Sequence, residues 1–136
     1  MKLLRVPRRR LTLLDPAQNL TTWYYDALGR VTGETSNALN LSRNYQYDAA
    51  GRLTEKRDRM NRYTRYEYNT LDQLTAEKWY ESDGTTLVRT IGYHYDDGGQ
   101  MTAVDDVDSA DQPVSAAYDY IYDQLGRLTD ETQDLA

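Results

Sequence analysis

The sequence predicts an all-β fold of antiparallel β-hairpin repeats that form a curved meander. Three observations predict it: a motif that recurs five times, two aromatic residues two positions apart in each copy, and an Asp-x-x-Gly step directly after them. A spacing of two is the strand period, so both rings lie on one face of a sheet. The Asp-x-x-Gly step is typical of a type I turn with glycine in the left-handed conformation at its fourth position.

The five copies follow one another through most of the chain. The second aromatic is always a tyrosine, and successive tyrosines are 22, 21, 27 and 27 residues apart (47−25, 68−47, 95−68, 122−95). The defining residues are Tyr25, Asp26, Gly29 and Arg30; Tyr47, Asp48, Gly51 and Arg52; Tyr68 and Asn69; Tyr95, Asp96 and Gly99; and Tyr122, Asp123, Gly126 and Arg127. We therefore assign residues 1–12 to a basic N-terminal arm or ragged start, and residues 13–136 to five repeats.

A three-residue hairpin loop after each tyrosine fixes a register. In the first copy this register places Asp26 opposite Arg30, Tyr25 opposite Val31, Tyr24 opposite Thr32 and Trp23 opposite Gly33. Cross-strand partners share a face, so aromatic and aliphatic residues collect on one face and a polar stripe runs along the other. The stripe is expected to contain Thr32, Thr54, Thr75, Thr102 and Thr129.

Each hairpin must return to the start of the next one through an outer turn. With two strands per copy, the meander is expected to have about ten strands. The third copy has Asp72 where the others have glycine, and aspartate tolerates the left-handed region better than most residues. The additional residues of the two 27-residue copies are expected in outer turns, around Glu81–Thr86 and Val107–Val114.

Charge and composition exclude several classes of protein. A net charge of −6 and a pI near 4.7 argue against nucleic acid as a partner, and no apolar stretch is long enough to span a membrane. The basic arm suits a secretory n-region, a nucleic-acid tail or the ragged start of a longer protein; the last is favoured because no apolar segment follows it. The arm contains Lys2, Arg5, Arg8, Arg9 and Arg10.

No set of residues in the sequence resembles a catalytic or metal site. His94 is the single histidine and has no nucleophile motif beside it. The densest acidic cluster lacks the glycine and glutamate of a calcium-binding loop, so a solvated loop is the favoured interpretation. That cluster contains Asp105, Asp106, Asp108 and Asp111. We predict a protein that is not an enzyme and that uses no cofactor and no metal.

The aromatic residues allow two interpretations. Exposed rings stack on sugars, but rings that recur at one register in every copy are more typical of packing within the repeat. Trp79 and Tyr80 lie outside the repeating register, and they are the candidate surface for a ligand such as a glycan.

The motif Tyr-x-Tyr-Asp-x-x-Gly-Arg-Leu-Thr resembles the rearrangement-hot-spot (RHS) and YD-repeat family over roughly residues 13–135. The resemblance implies a β-sheet ribbon that spirals into a hollow shell, of which this chain is a segment. Bacterial members enclose a toxin domain, and teneurins carry a related barrel in an adhesion receptor. The family's self-cleaving core segment is not found in this sequence.

The resemblance implies a non-catalytic scaffold that encloses or presents a toxin or effector and is secreted or displayed at the cell surface. The alternative it implies is an adhesion or carbohydrate-binding module. The expected partners are further repeats of the same polypeptide or another copy, which pair through open sheet edges. An enclosed toxin domain and glycans are the other expected partners.

Overall fold

The all-β prediction is confirmed by the computed structural model, which describes residues 9–110, 112–113 and 117–134. The chain divides into two compact units, Met1–Arg62 and Tyr63–Ala136. Within each unit the strands pair antiparallel in chain order, as a meander requires. No helix in the described ranges is long and apolar enough to cross a membrane.

The described residues form eleven strands, one more than the approximate number expected. The additional strand is β1, which includes residues 9–12 of the segment assigned to the basic arm. The first unit contains β1 (Arg9–Leu14), β2 (Leu20–Tyr25), β3 (Val31–Ser36), β4 (Leu41–Tyr47) and β5 (Leu53–Arg57). The second contains β6 (Tyr63–Tyr68), β7 (Leu74–Tyr80), β8 (Leu87–Tyr95), β9 (Met101–Asp108), β10 (Ala117–Tyr122) and β11 (Leu128–Asp134).

The hairpin turns have the predicted geometry. In the first copy the Gly29 amide donates to the carbonyl of Asp26 (3.1 Å), and the Asp26 amide donates to the carbonyl of Arg30 (2.9 Å). Gly29 has a φ of +81°, and Asp72, which replaces the glycine in the third copy, has a φ of +63°. Both residues therefore occupy the left-handed region that this turn demands at its fourth position.

The predicted register is right for the first two pairs of the hairpin, Asp26 with Arg30 and Tyr25 with Val31, and wrong beyond them. Tyr25 does face Val31, but Tyr24 faces Gly33 and Trp23 faces Glu34. Thr32 is an additional residue in a β-bulge, a distortion that a period-two argument does not anticipate. The same shift occurs beside the motif tyrosine of every copy, so each motif threonine is a bulge residue and lacks the regular cross-strand partner that the predicted register gave it.

The bulge threonines have a structural role in at least two copies. The Thr32 hydroxyl donates to the carbonyl of Tyr24 (3.3 Å), and the Thr129 hydroxyl donates to the carbonyl of Ile121 (3.0 Å). Each bond joins the bulge to the strand it faces, where the ladder of backbone hydrogen bonds is interrupted. The threonine thus gives the carbonyl beside the bulge a hydrogen-bond donor.

The additional residues of the third copy lie mainly in strands. Compared with the preceding copy, β7 is two residues longer than β5 (7 against 5), and β8 is three residues longer than β6 (9 against 6). The outer turn 81–86 is only one residue longer than the turn 58–62. Placing all the additional residues at Glu81–Thr86 was therefore wrong, because paired strands satisfy more backbone groups than a longer loop does. The segment Val107–Val114 extends beyond the described residues.

Side chains in both units are mostly half-buried rather than enclosed. Ala76 is the one apolar residue in the described ranges that is buried, and no large side chain there is fully buried. Leucines at the third position of three turns are exposed, with Leu28 and Leu125 both at 77%. The strands are therefore stabilised chiefly by their cross-strand neighbours, not by a deep core.

We predict that Gly29→Ala destabilises the chain by about 1 kcal/mol, which is the cost of the left-handed conformation for a residue with a Cβ. A Cβ at this position meets no atom within 4 Å, so the penalty comes from the backbone alone. Thermal unfolding followed by circular dichroism measures the effect. Gly29→Asn is the control and should lose less, because asparagine enters this region more readily. Equal losses in the two variants would contradict the explanation.

Candidate functional site

The aspartate of the motif caps its own turn. In the second copy, one carboxylate oxygen of Asp48 accepts from the Arg52 amide (2.9 Å) and the other accepts from Arg52 Nε (2.7 Å). The side-chain and backbone hydrogen bonds from Arg52 lower the pKa of Asp48. The charged carboxylate therefore supports the turn fully above the ordinary aspartate pKa, and this contribution is lost as the pH falls through the lowered value.

The same cap recurs at both ends of the strands. Asp26 and Asp123 hold Arg30 and Arg127 with the same pair of contacts as Asp48. Asp58 repeats the arrangement in an outer turn, where it binds the amide and guanidinium of Arg62. The outer turn thus uses the chemistry of the motif turn without its preceding tyrosine.

The third copy replaces the ion pair with two amides. The Asn69 side-chain oxygen accepts from the amides of Leu71 (2.9 Å) and Gln73 (3.0 Å), and Asn69 Nδ2 donates to Gln73 Oε1 (2.7 Å). Asparagine therefore provides the backbone cap, and glutamine takes the place of arginine as its partner. Sequence comparison of the copies detects both substitutions but does not show that they complement each other.

In three copies the residue after the fourth turn position also reaches the turn of the next copy, and these contacts form what we name the turn ladder. Arg30 Nη1 donates to the carbonyl of Asp48 (3.3 Å), and the Arg30 guanidinium lies 4.7 Å from the centre of the Tyr47 ring. In the second unit, glutamine amides donate to the carbonyls of Gly99 and Gly126, both over 3.0 Å. The donors are Gln73 and Gln100.

The motif tyrosines provide a second connection between copies. The Tyr47 hydroxyl donates to the carbonyl of Val31 (2.8 Å), and the Tyr95 hydroxyl donates to the carbonyl of Leu74 (2.8 Å). In both cases the acceptor is the aliphatic residue that follows the turn of the preceding copy. Each ring therefore packs in its own hairpin while its hydroxyl holds the neighbouring one.

The structure does not bring Trp79 and Tyr80 onto one surface. They are consecutive residues of β7, so their side chains lie on opposite faces of the sheet. The Arg89 guanidinium lies 5.2 Å from the centre of the Trp79 ring, and the Arg65 guanidinium lies 4.6 Å from that of Tyr80. Trp79 Nε1 also donates to Glu77 (3.2 Å), although the residue remains 40% exposed.

The predicted acidic loop is largely a strand, so that interpretation was wrong. Asp105, Asp106 and Asp108 belong to β9, and Asp111 lies outside the described residues. Asp106 is 6% exposed and forms an ion pair with Arg89 from β8. The cross-strand pairing of β8 and β9 explains this, because it brings a basic residue of one strand beside the acids of the other.

His94 is a strand residue on β8, as the sequence suggested. Its side chain is 59% exposed, and Nε2 contacts the carboxylate of Asp105. Asp105 faces Gly92, where a Cβ would come within 2.8 Å of both carboxylate oxygens. Gly92 therefore leaves room for the Asp105 carboxylate. The contact between His94 and Asp105 gives each of these polar side chains a partner.

Across the ranges that the structure describes, no three histidine, cysteine or acidic side chains converge to hold a metal ion. A cleft of about 280 Å³ lies beside β1 and is open to solvent. Its lining is basic, apolar and aromatic: Arg9, Arg10, Leu11, Tyr25 and Gly29. These residues include no carboxylate, so the cleft offers an acid-base reaction no general base of that kind.

Comparison with known proteins gives a family and a set of similar folds. A family model described as Teneurin YD-shell matches residues 2–134. The solved structures titled "Crystal Structure of TcdB2-TccC3-Cdc42" and "Crystal Structure of TcdB2-TccC3" superpose with TM-scores of 0.74 and 0.73, both at 23% identity. Each match covers 89% of this chain and 6% of the solved chain. The curated proteins include no match to this chain.

We predict that Tyr95→Phe lowers the free energy of unfolding by about 1 kcal/mol, the usual net value of one hydrogen bond. The phenyl ring keeps the packing, but the carbonyl of Leu74 loses its hydroxyl donor. Urea denaturation provides the measurement. Tyr122→Phe is the matched control in the same unit, since the Tyr122 hydroxyl has no hydrogen-bond partner within the described residues. A loss as large in the control would show that the hydroxyl contact is not responsible.

Proposed function

Because the chain belongs to the Teneurin YD-shell family, we propose that it is a non-catalytic repeat scaffold. In this proposal the five repeats of residues 13–136 form a segment of a β-sheet shell that encloses or presents a toxin or another effector. Repeat proteins bury surface mainly between neighbouring units, so a wall of such units extends by addition of further copies. The proposed partners are therefore further repeats of the same polypeptide and the enclosed domain.

The turn ladder is the observation that carries the proposal. The side chains that define the motif are engaged within the scaffold: the aspartate caps the turn, the arginine or glutamine binds the next turn, and the tyrosine binds the preceding strand. Residues committed to such contacts are unavailable to a substrate. A wall needs this kind of regular connection between adjacent hairpins.

The similar solved structures support a wall segment and not a complete container. This chain spans a small share of the TcdB2-TccC3 chains, which fits one arc of a much larger assembly. Secretion or display at the cell surface belongs to the same proposal, since a shell that delivers an effector acts outside the cell that makes it.

A chimera tests the proposal directly. Residues 9–134 replace the repeats on which they superpose in TcdB2-TccC3, and a reporter domain is fused downstream. We expect the chimera to protect the reporter from added protease as well as the parent shell does. Arg30→Ala in the chimera should weaken protection, because it removes the contacts to Asp48 and Tyr47.

Arg127→Ala is the matched control for this experiment. Arg127 binds Asp123 as Arg30 binds Asp26, but its side chain is 74% exposed and it contacts no other turn in the described ranges. Protection should therefore survive this change. A folded chimera that leaves the reporter fully digestible would contradict the shell proposal.

Carbohydrate binding through Trp79 and Tyr80 stays a prediction with less support. The two side chains lie on opposite faces of the sheet, so they cannot bind one sugar together. An arginine guanidinium also lies over each ring and covers one side of it. A glycan array is the test: binding by the native chain that disappears in Trp79→Ala but not in Tyr80→Ala would favour a one-face site. Absence of binding across the array would remove this alternative.

A further inference from the structure

The edge strand β1 is exposed along its whole length, and three of its six residues are leucines. Leu11 and Leu13 are each 57% exposed and Leu14 is 54% exposed. In the described part of the chain β1 pairs with β2 alone, so its other edge presents backbone amides and carbonyls that can pair with another strand. Such an edge is a template for a further antiparallel strand.

The last strand of the second unit is a different kind of edge. β11 carries Asp130, Glu131 and Asp134 among its seven residues and contains one aliphatic residue, Leu128. Two such strands side by side would bring like charges together, which is a common protection against edge pairing. Of β1 and β11, β1 is therefore the strand suited to self-pairing.

We propose that β1 pairs antiparallel with β1 of a second copy, across a two-fold axis perpendicular to the sheet. A two-fold interface uses the same patch on both copies, and it closes without leaving a further site of the same kind. The axis keeps corresponding faces on the same side of the joined sheet. Facing residues must then share a face, so their residue numbers sum to an even value.

One register places leucines opposite leucines and also places opposite charges beside each other. When the numbers sum to 24, Leu11 faces Leu13 of the second copy, and Thr12 faces its own equivalent. Arg10 then lies opposite Leu14 and can lay its aliphatic stem along it. At the ends, Arg9 faces Asp15. Every pair except the central one occurs twice, so the interface contains two leucine pairs and two charge pairs.

Asp15 is suited to this role because it is held in place. One of its carboxylate oxygens accepts from the Asn19 amide and the other from Asn19 Nδ2, both over 2.8 Å. These hydrogen bonds lower the pKa of Asp15, so the carboxylate is charged at neutral pH. It provides a fixed anion at the end of β1, where Arg9 of the second copy would lie.

The neighbouring even registers are less favourable. A sum of 20 places Arg10 opposite its own equivalent, and like charges that face each other across strands are destabilising. A sum of 26 places Leu11 opposite the charged Asp15. A sum of 22 pairs Leu11 with its equivalent but moves Arg9 away from Asp15 and opposite Leu13. The sequence of β1 therefore selects one register.

Single cysteines test this register, because the chain contains none of its own. Directly opposed residues have Cα atoms about 4.5–5.5 Å apart, within the span of a disulfide. Thr12→Cys should therefore form an intermolecular disulfide under mild oxidation. Leu14→Cys is the control: its equivalent lies four residues along the ladder, about 14 Å away, and should cross-link at least about tenfold more slowly.

A charge exchange gives a second measurement that does not depend on oxidation. Leu13→Lys should raise the dimer dissociation constant by roughly tenfold or more, because it replaces both leucine pairs. The double variant Leu11→Glu with Leu13→Lys should recover most of the affinity, since each glutamate then faces a lysine of the second copy. Leu128→Lys on β11 should have no effect. Analytical ultracentrifugation measures the affinity, and circular dichroism checks that each variant folds.

Two results would overturn the proposal. One is a native chain that remains monomeric at concentrations of hundreds of micromolar. The other is association that Leu128→Lys abolishes and Leu13→Lys leaves intact, which would indicate pairing through β11. The dimer does not rest on the shell proposal, because the protease test of the chimera and the cross-link of the isolated chain can each fail independently.

Discussion

The hydrogen bonds from one aspartate carboxylate to the turn after it fix the geometry on which each repeat depends. With the carboxylate bound to the amide and side chain of Arg52, the chain must reverse at Gly51, which is the residue in the left-handed conformation. This reversal sets which residues face each other in the hairpin. It also directs the arginine side chain along the row of turns, where in the first copy it reaches the next one.

Connections of this kind matter because each unit lacks a deep core. With Ala76 as the one buried apolar residue in the described ranges, stability must come from contacts along and across the strands. The tyrosine hydroxyl and the arginine or glutamine side chain each join one hairpin to its neighbour. Within each unit, such coupling between adjacent copies makes the hairpins behave as a cooperative repeat array.

Much of this architecture could be predicted from the sequence because turns are local. The Asp-x-x-Gly step and the period-two aromatics specify a hairpin within about ten residues, and Asp72 was correctly expected to tolerate the left-handed conformation. The bulge at Thr32 could not be predicted, since an ideal ladder is the default of any period argument. The signal was the constant threonine itself, whose hydroxyl binds the facing carbonyl of Tyr24.

Long-range consequences were also beyond the sequence. Spacing showed that two copies are six residues longer than the shortest, but not that most of the addition in the third copy lengthens β7 and β8. The sequence predicted a loop at the acidic residues of β9, because no local pattern shows that Arg89 lies beside Asp106. Such pairings depend on register, and register depends on the bulges that precede them.

The bulge explains why two of the thirteen tyrosines, in a chain without phenylalanine, carry a hydroxyl. A phenyl ring would satisfy the half-buried positions on the sheet equally well. It could not donate to the carbonyl of Val31 or of Leu74, as Tyr47 and Tyr95 do. Those acceptors lie where the bulge interrupts regular pairing, so a carbonyl there benefits from a side-chain donor. The hydroxyl is therefore the part of these two aromatic residues that joins one hairpin to the next.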